Sequence, residues 1–222
     1  MITLLKIELK KAIPNRAFWI LIALYILVVG TVLLGAQEFL DNVLEQAGTK
    51  SPIPIPDIGV YEFPYIWHNL TFLSGFFKIV LGVIVIIMIT NEFAYKTIRQ
   101  NIIAGMSKLD FLKAKVLFIL LISVFAVILI FLTGIILGLI HTQYLSLYGF
   151  FEKTSFLLAY LLEVFSYLCF AFMIGFIVKR SGISIGLLLL YGFVIEPIIN
   201  YKLPAEINDF MPLNSINNLI DI

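Results

Sequence analysis

Along this chain the apolar residues come in long uninterrupted blocks, not in the stripes that mark surface helices of soluble proteins. Five blocks stand out, at residues 18–36, 66–90, 116–141, 156–178 and 183–201. A run of about eighteen or more apolar residues almost free of charge is long enough to cross the hydrocarbon core of a bilayer as a helix. An open strand leaves its backbone N–H and C=O groups unpaired in that solvent, so all five blocks are expected to be helices. The expected fold is therefore all-α and integral to the membrane, one transmembrane domain over residues 1–222.

Composition agrees with this pattern and narrows it. Apolar residues make up 61% of the chain and charged ones 13%, against about 45–50% and about 25% in soluble domains. The net charge of +1 leaves no basic footprint for nucleic acid. Cys169 is the single cysteine, which excludes an internal disulfide and a multi-cysteine metal site. The first apolar block has the outline of a secretory signal, but it is long, lacks a small-x-small cleavage site and is followed by further spans, so it is read as retained.

Orientation follows from the placement of Lys and Arg. One side carries Lys6, Lys10, Lys11, Arg16, Lys96, Arg99, Lys108, Lys113, Lys115, Lys179 and Arg180, eleven in all, and the other carries Lys50, Lys153 and Lys202. The first side is expected to be cytoplasmic, with the amino terminus inside and the chain in a cell (inner or cytoplasmic) membrane. Trp19 and Tyr95 at inner ends, and Tyr65, Trp67, Tyr144 and Tyr201 at outer ends, mark the interfaces.

The segments between spans also carry patterns. Over residues 2–13, Ile2, Leu5, Leu9 and Ile13 share one helical face and Lys6, Lys10 and Lys11 lie away from it, which predicts an interfacial helix ended by Pro14. The first outer loop, residues 37–65, begins with a short acidic helical pattern and continues with Pro52, Pro54 and Pro56, which favour an extended spacer. Gly48, Thr49, Lys50 and Ser51 look like the end of a phosphate-binding loop, but that motif needs Gly where Thr49 and Leu44 stand. Residues 202–222, broken by Pro204 and Pro212, are expected to lie on the outer surface as short helices or a loop.

The inner loop at 91–115 is the most informative. Tyr95, Ile98, Ile102 and Met106 recur at helical spacing, with Lys96, Thr97 and Gln100 elsewhere on the wheel, so a short amphipathic helix follows the second span. Gly105 is placed to stop it. Ser107, with Asp110 three residues on, is placed to cap a second helix that runs into the third span.

This loop resembles the coupling region of the type-2 exporter-like permeases of ABC transporters. In that family an acidic residue closes the second span, a Thr and a basic residue follow, then a Gly, a Ser-Arg-like pair and a Lys entering span three. Glu92, Thr97, Arg99, Gly105, Ser107, Lys108 and Lys115 occupy those places, with Lys108 where Arg is more usual. The opening basic helix and the span spacing are similar too. The resemblance implies a non-enzymatic permease subunit that binds a cytoplasmic ABC ATPase and a second permease chain, identical or paralogous. It implies no cofactor on this chain, with ATP and Mg held by the ATPase. It places coupling on Glu92, Tyr95, Lys96, Thr97, Ile98, Arg99, Ile102 and Gly105. It also implies six spans, whereas five are present, so the chain is read as an incomplete permease or an unusual five-span member.

Two charges fall inside the spans. Lys78 lies about 18 Å by helical rise from the inner end of the second span, and a charge at that depth costs about 2.5–3.5 kcal/mol on the insertion scale. Glu163 in the fourth span is at comparable depth and is the expected partner. The pair either lines a translocation path or fixes helix packing. Glu196, near an outer end, is expected to be solvated. Gly134 with Gly138, and Gly182 with Gly186, have the spacing that lets helices approach closely. His68 and His141 sit at outer boundaries, and neither a zinc-protease nor a serine-nucleophile motif is present. Two other readings stay open: an ion-coupled secondary transporter or channel using Lys78 and Glu163, and a non-transporting membrane anchor or assembly subunit.

Overall fold

A computed structural model describes residues 2–48, 60–142, 147–202 and 210–220, and among these there are helices and no strand. In order they are α1 (Ile2–Ala12), α2 (Arg16–Gly48), α3 (Ile66–Gly75), α4 (Lys78–Ala94), α5 (Thr97–Ile103), α6 (Lys108–His141), α7 (Leu147–Phe151), α8 (Ser155–Val178), α9 (Ser181–Leu190), a π-helical turn (Tyr191–Ile195), α10 (Glu196–Lys202) and α11 (Pro212–Asn217). The prolines at 52, 54 and 56 and the Thr49–Ser51 part of the phosphate-loop lookalike lie outside the described residues.

The long apolar helices coincide with the predicted blocks. Four are apolar and long enough to cross a membrane, and the α3–α4 pair makes a fifth span if it is taken as one. That second span is not the single helix predicted over 66–90. It bends by 47° between α3 and α4. Phe77 N–H donates to Ser74 O at 3.0 Å and Val80 N–H to Phe77 O at 3.1 Å, so the helix tightens to three-residue bonding at the break. No proline causes it. The break follows a Ser74-Gly75 pair, a recognised setting for kinks.

Other boundaries differ for plain reasons. The acidic pattern after residue 37 is not a separate short helix; α2 runs to Gly48 because no Pro or Gly interrupts the stretch from Gln37 to Ala47. The fifth span is interrupted by the π turn, in which Glu196 N–H donates to Tyr191 O. Pro197 follows directly, and widening the turn accommodates a ring that would otherwise meet the carbonyl of Phe193.

Helix α8 is central, touching α3, α4, α6, α9 and α11. Its inward residues Tyr160, Val164, Leu168 and Ala171 are fully buried, whereas Leu158, Leu162 and Ile177 face outward. Exposed apolar side chains of this kind are normal where the solvent is lipid. Gly134 and Gly138 of α6 seat Trp67 and Phe63, so that spacing packs α3 within one chain, whereas Gly182 and Gly186 meet nothing within 4 Å.

The two ends of the bundle are tied separately. At one end Trp67 Nε1 donates to Phe150 O at 2.9 Å and Phe63 N–H to Thr142 Oγ1 at 3.3 Å, joining the start of α3, the end of α6 and α7. At the other, α1 packs on the start of α6. Helices α4, α6 and α8 therefore alternate in direction, as the charge asymmetry requires.

Candidate functional site

Two polar sites interrupt the apolar bundle, and the first is at its basic end. Helix α1 forms as predicted and stops at Ala12, but its faces are not those expected. Glu8 and Ala12 are buried, Lys11 is turned inward, and Ile13 is 56% exposed. The inward stripe has a carboxylate at its centre. Lys115 Nζ, at the start of α6, lies 2.5 Å from Glu8 Oε2 and 2.5 Å from Glu92 Oε1 at the end of α4. Lys11 Nζ lies 2.9 Å from the same Glu92 oxygen and 3.1 Å from Glu8 Oε1. Two ammonium groups and two carboxylates thus cancel one another across three helices. Burial works against the charge on Lys11, but the hydrogen bond it donates to Glu92 and the charges of Glu8 and Glu92 outweigh it and hold its pKa above the ordinary value of 10.5. Trp19 Nε1 donates to Ile13 O at 2.8 Å and secures the elbow between α1 and α2.

From this tied corner α5 projects. Lys96 adopts a left-handed conformation, φ 56°, which turns the chain out of α4. Such a conformation costs a residue with a Cβ about 1–2 kcal/mol. Thr97 Oγ1 donates back to Glu92 O at 3.4 Å. Gly105, at φ 96°, ends the excursion, and Ser107 Oγ then accepts Asp110 N–H at 3.0 Å, as the capping pattern predicted. No residue of α5 is buried. Tyr95 is 73% and Ile103 86% exposed, Ile102 and Arg99 are exposed, and Ile98 is only half-buried. A hollow of about 310 Å³, lined by Lys11, Asn15, Asn91, Glu92 and Thr97, separates this helix from the α1–α2 elbow. Glu92 Oε2 is buried there without a hydrogen-bond partner among the described residues.

The second site is within the membrane-spanning part. Lys78, the first residue of α4, forms an ion pair with Glu163 of α8, the partner expected from their depths. Gly75 lies against that carboxylate: a Cβ added there would sit 2.9 Å from Glu163 Oε1, so the break in the span leaves room for the acid. Lys78 Nζ also donates to Asn217 Oδ1 at 2.6 Å and sits 5.5 Å from the centre of the Tyr167 ring. One turn from Glu163, Tyr160 shares a buried hydrogen bond of 3.1 Å with Tyr25.

Asn217 was not expected here. Residues 212–217 do form a short helix, exposed at Pro212, Ser215 and Asn217, with Leu213 buried against α8 and the π turn and Ile220 buried just beyond it. Glu196 explains the position. It is not solvated as predicted but 2% exposed, and its Oε1 accepts Asn214 N–H at 2.5 Å in the first turn of α11. A carboxylate at a helix N-terminus pairs with free N–H groups and the positive end of the dipole. Between these elements is a cavity of about 290 Å³ walled by Phe72, Phe76, Tyr167 and Phe193, with Lys78, Glu163 and Asn217 at its polar edge.

Sequence reasoning brought Lys78 and Glu163 together, but missed Glu8, misplaced Lys11 and Glu196, and had no reason to select Asn217. Glu8 offered one signal, as the lone acid in a basic helix, three residues from Lys11.

These features define a multi-span α-helical membrane protein with a projecting helix at its basic end. The family model for ABC-2 family transporter proteins matches residues 2–222, and the chain belongs to that family: it is a membrane permease component of an ABC transporter. No curated protein matches the chain.

Proposed function

We propose that this chain is the permease of an ATP-driven exporter in a cytoplasmic membrane, working as one of two permease chains with two separate ATPases that bind ATP and Mg. The supporting observation is α5. It carries exposed Arg99, Ile102 and Ile103, with exposed Tyr95 just before it, buries nothing of its own, and is braced from behind by the Glu8–Lys11–Glu92–Lys115 cluster. An ATPase seated on α5 covers that apolar face, and its closure pushes on a corner rigid enough to pass motion to α1, α4 and α6 together. In this reading Glu92, Lys96, Thr97, Ile98 and Gly105 hold the shape of the lever, while the exposed residues meet the partner.

The test is co-purification of the ATPase with the full chain and with an Ile102→Glu, Ile103→Glu variant. The variant is expected to lose the ATPase while keeping its fold. Undiminished ATPase capture by the variant would count decisively against the proposal. A gradient-driven transporter is the second reading, favoured by the buried Lys78–Glu163 pair. Transport that persists without ATP and collapses with the ion gradient would favour it instead.

A further inference from the structure

The cavity beside Lys78 is built to hold a ligand, and its electrostatics restrict which one. Lys78 and Glu163 are 8% and 4% exposed, so both groups are cut off from water. Their charges already cancel. A further full charge brought to this place would be unpaired in an apolar surrounding, which is strongly unfavourable. A neutral acceptor escapes that cost and gains a hydrogen bond to an ammonium group, the stronger kind. Asn217 does this now, presenting an uncharged amide oxygen at 2.6 Å. Yet Asn217 itself is an exposed residue at the end of a six-residue helix, held by Leu213, Ile220 and the Glu196 cap. The remaining walls are apolar, with Phe72, Phe76, Tyr167 and Phe193 beside Ile79 and Leu213.

We propose that this cavity binds a small neutral amphiphile with an aromatic or apolar body and a carbonyl or hydroxyl oxygen that takes the place of Asn217 at Lys78. Helix α11 is then a displaceable stand-in for the ligand, and the broken second span and the π turn, which supply Phe76, Lys78 and Phe193, form the flexible rim. The inference rests on the permease reading only in taking the occupant as cargo.

Benzophenone is a suitable probe, being a neutral diaryl ketone that inserts into nearby C–H bonds on irradiation. The chain in lipid nanodiscs is labelled with benzophenone, with anionic 4-benzoylbenzoate and with a trimethylammonium derivative, and the adducts are mapped by mass spectrometry. Benzophenone is expected to label Phe72, Phe76 and Phe193 preferentially and to do so at least about tenfold more than either charged probe, whose charge would be buried there without a partner. The Lys78→Met, Glu163→Leu double variant, which removes the donor together with its partner charge, is expected to lower benzophenone labelling of these residues about tenfold while the charged probes stay excluded. Asn217→Ala, which touches only α11, is expected to raise cavity labelling several-fold by removing the competing oxygen. Labelling spread evenly over lipid-facing residues, a stronger signal from a charged probe, or no gain in Asn217→Ala would each overturn the proposal. Absent labelling with ATPase capture intact removes the site and leaves the ATPase-driven reading; cavity labelling without ATPase capture removes that reading and leaves a ligand site.

Discussion

The two buried ionic sites use the same chemistry for different ends. At the basic end, two lysines and two carboxylates share short contacts across α1, α4 and α6, and each of the four charges has two partners. Inside the bundle, one lysine and one carboxylate face each other at a break between helices, and a third, uncharged group arrives from a short exposed helix. A closed network with several mutual contacts resists rearrangement. A single pair beside a cavity, with one exchangeable neighbour, permits it. In the proposed mechanism the ion pairs are rigid where the ATPase would push and adjustable beside the cavity.

Lys115→Met is expected to have the largest effect. It leaves Glu8 and Glu92 facing each other with only Lys11 between them, and removing one partner of a buried pair costs about 3–5 kcal/mol. Thermal unfolding in detergent should show this, together with faster proteolysis of α1. If Lys115→Met unfolds no more easily than wild type, the network is not what holds α1.

At the second site, Lys78→Met alone is expected to destabilise by a similar or somewhat smaller amount, about 3 kcal/mol, because Glu163 keeps Tyr160 and the cavity nearby. Adding Glu163→Leu should recover most of the loss, since replacing both partners by apolar groups is often neutral. Failure of the double variant to recover stability would mean that the pair is coupled to more than its own charges.

Gly75→Ala is expected to cost about 1–3 kcal/mol, because its methyl meets the Glu163 carboxylate at 2.9 Å. Gly186→Ala, with open space around it, is the control and should gain a few tenths to about 1 kcal/mol of stability as a better helix former. Equal midpoints for the two would dissolve the argument that Gly75 makes room for the acid.

The smallest effect concerns pH. The Lys11 pKa is raised in the folded chain, so its contribution to stability is complete below 10.5 and is lost as pH rises through the higher folded value. Protection of α1 from protease should therefore stay level through neutral and mildly alkaline pH and weaken only above about 10.5. Loss of protection between pH 7 and 9 would assign the docking to another group.

Most of the architecture was legible in residue order. Five apolar blocks, the helix before Pro14, the Gly105 stop and the Ser107 cap each depend on local preferences and stand where their residues point, although the second block is bent and α1 turns another face inward. The legible part of the sites was equally local: the amphipathic repeat of α5, and the two span charges whose depths matched. The bend at Ser74-Gly75 left a faint mark, but that dipeptide is as compatible with a straight helix until a carboxylate on α8 is known to need the space.

By itself, then, the order of residues determined which segments are long apolar helices and that a short helix stopped by Gly105 follows the second, because the solvent and the backbone impose those terms on each segment separately. The left-handed turn at Lys96, which trims the expected Tyr95–Met106 repeat to Thr97–Ile103, was not legible. Tertiary structure alone decided that Glu8 and Lys11 turn inward, that Glu196 caps α11 and that Asn217 reaches Lys78. A buried charge in an apolar bundle takes whatever partner packing brings within about 3 Å, and residues 8, 92 and 115, or 78, 163 and 217, are too far apart in the chain for any periodicity to relate them.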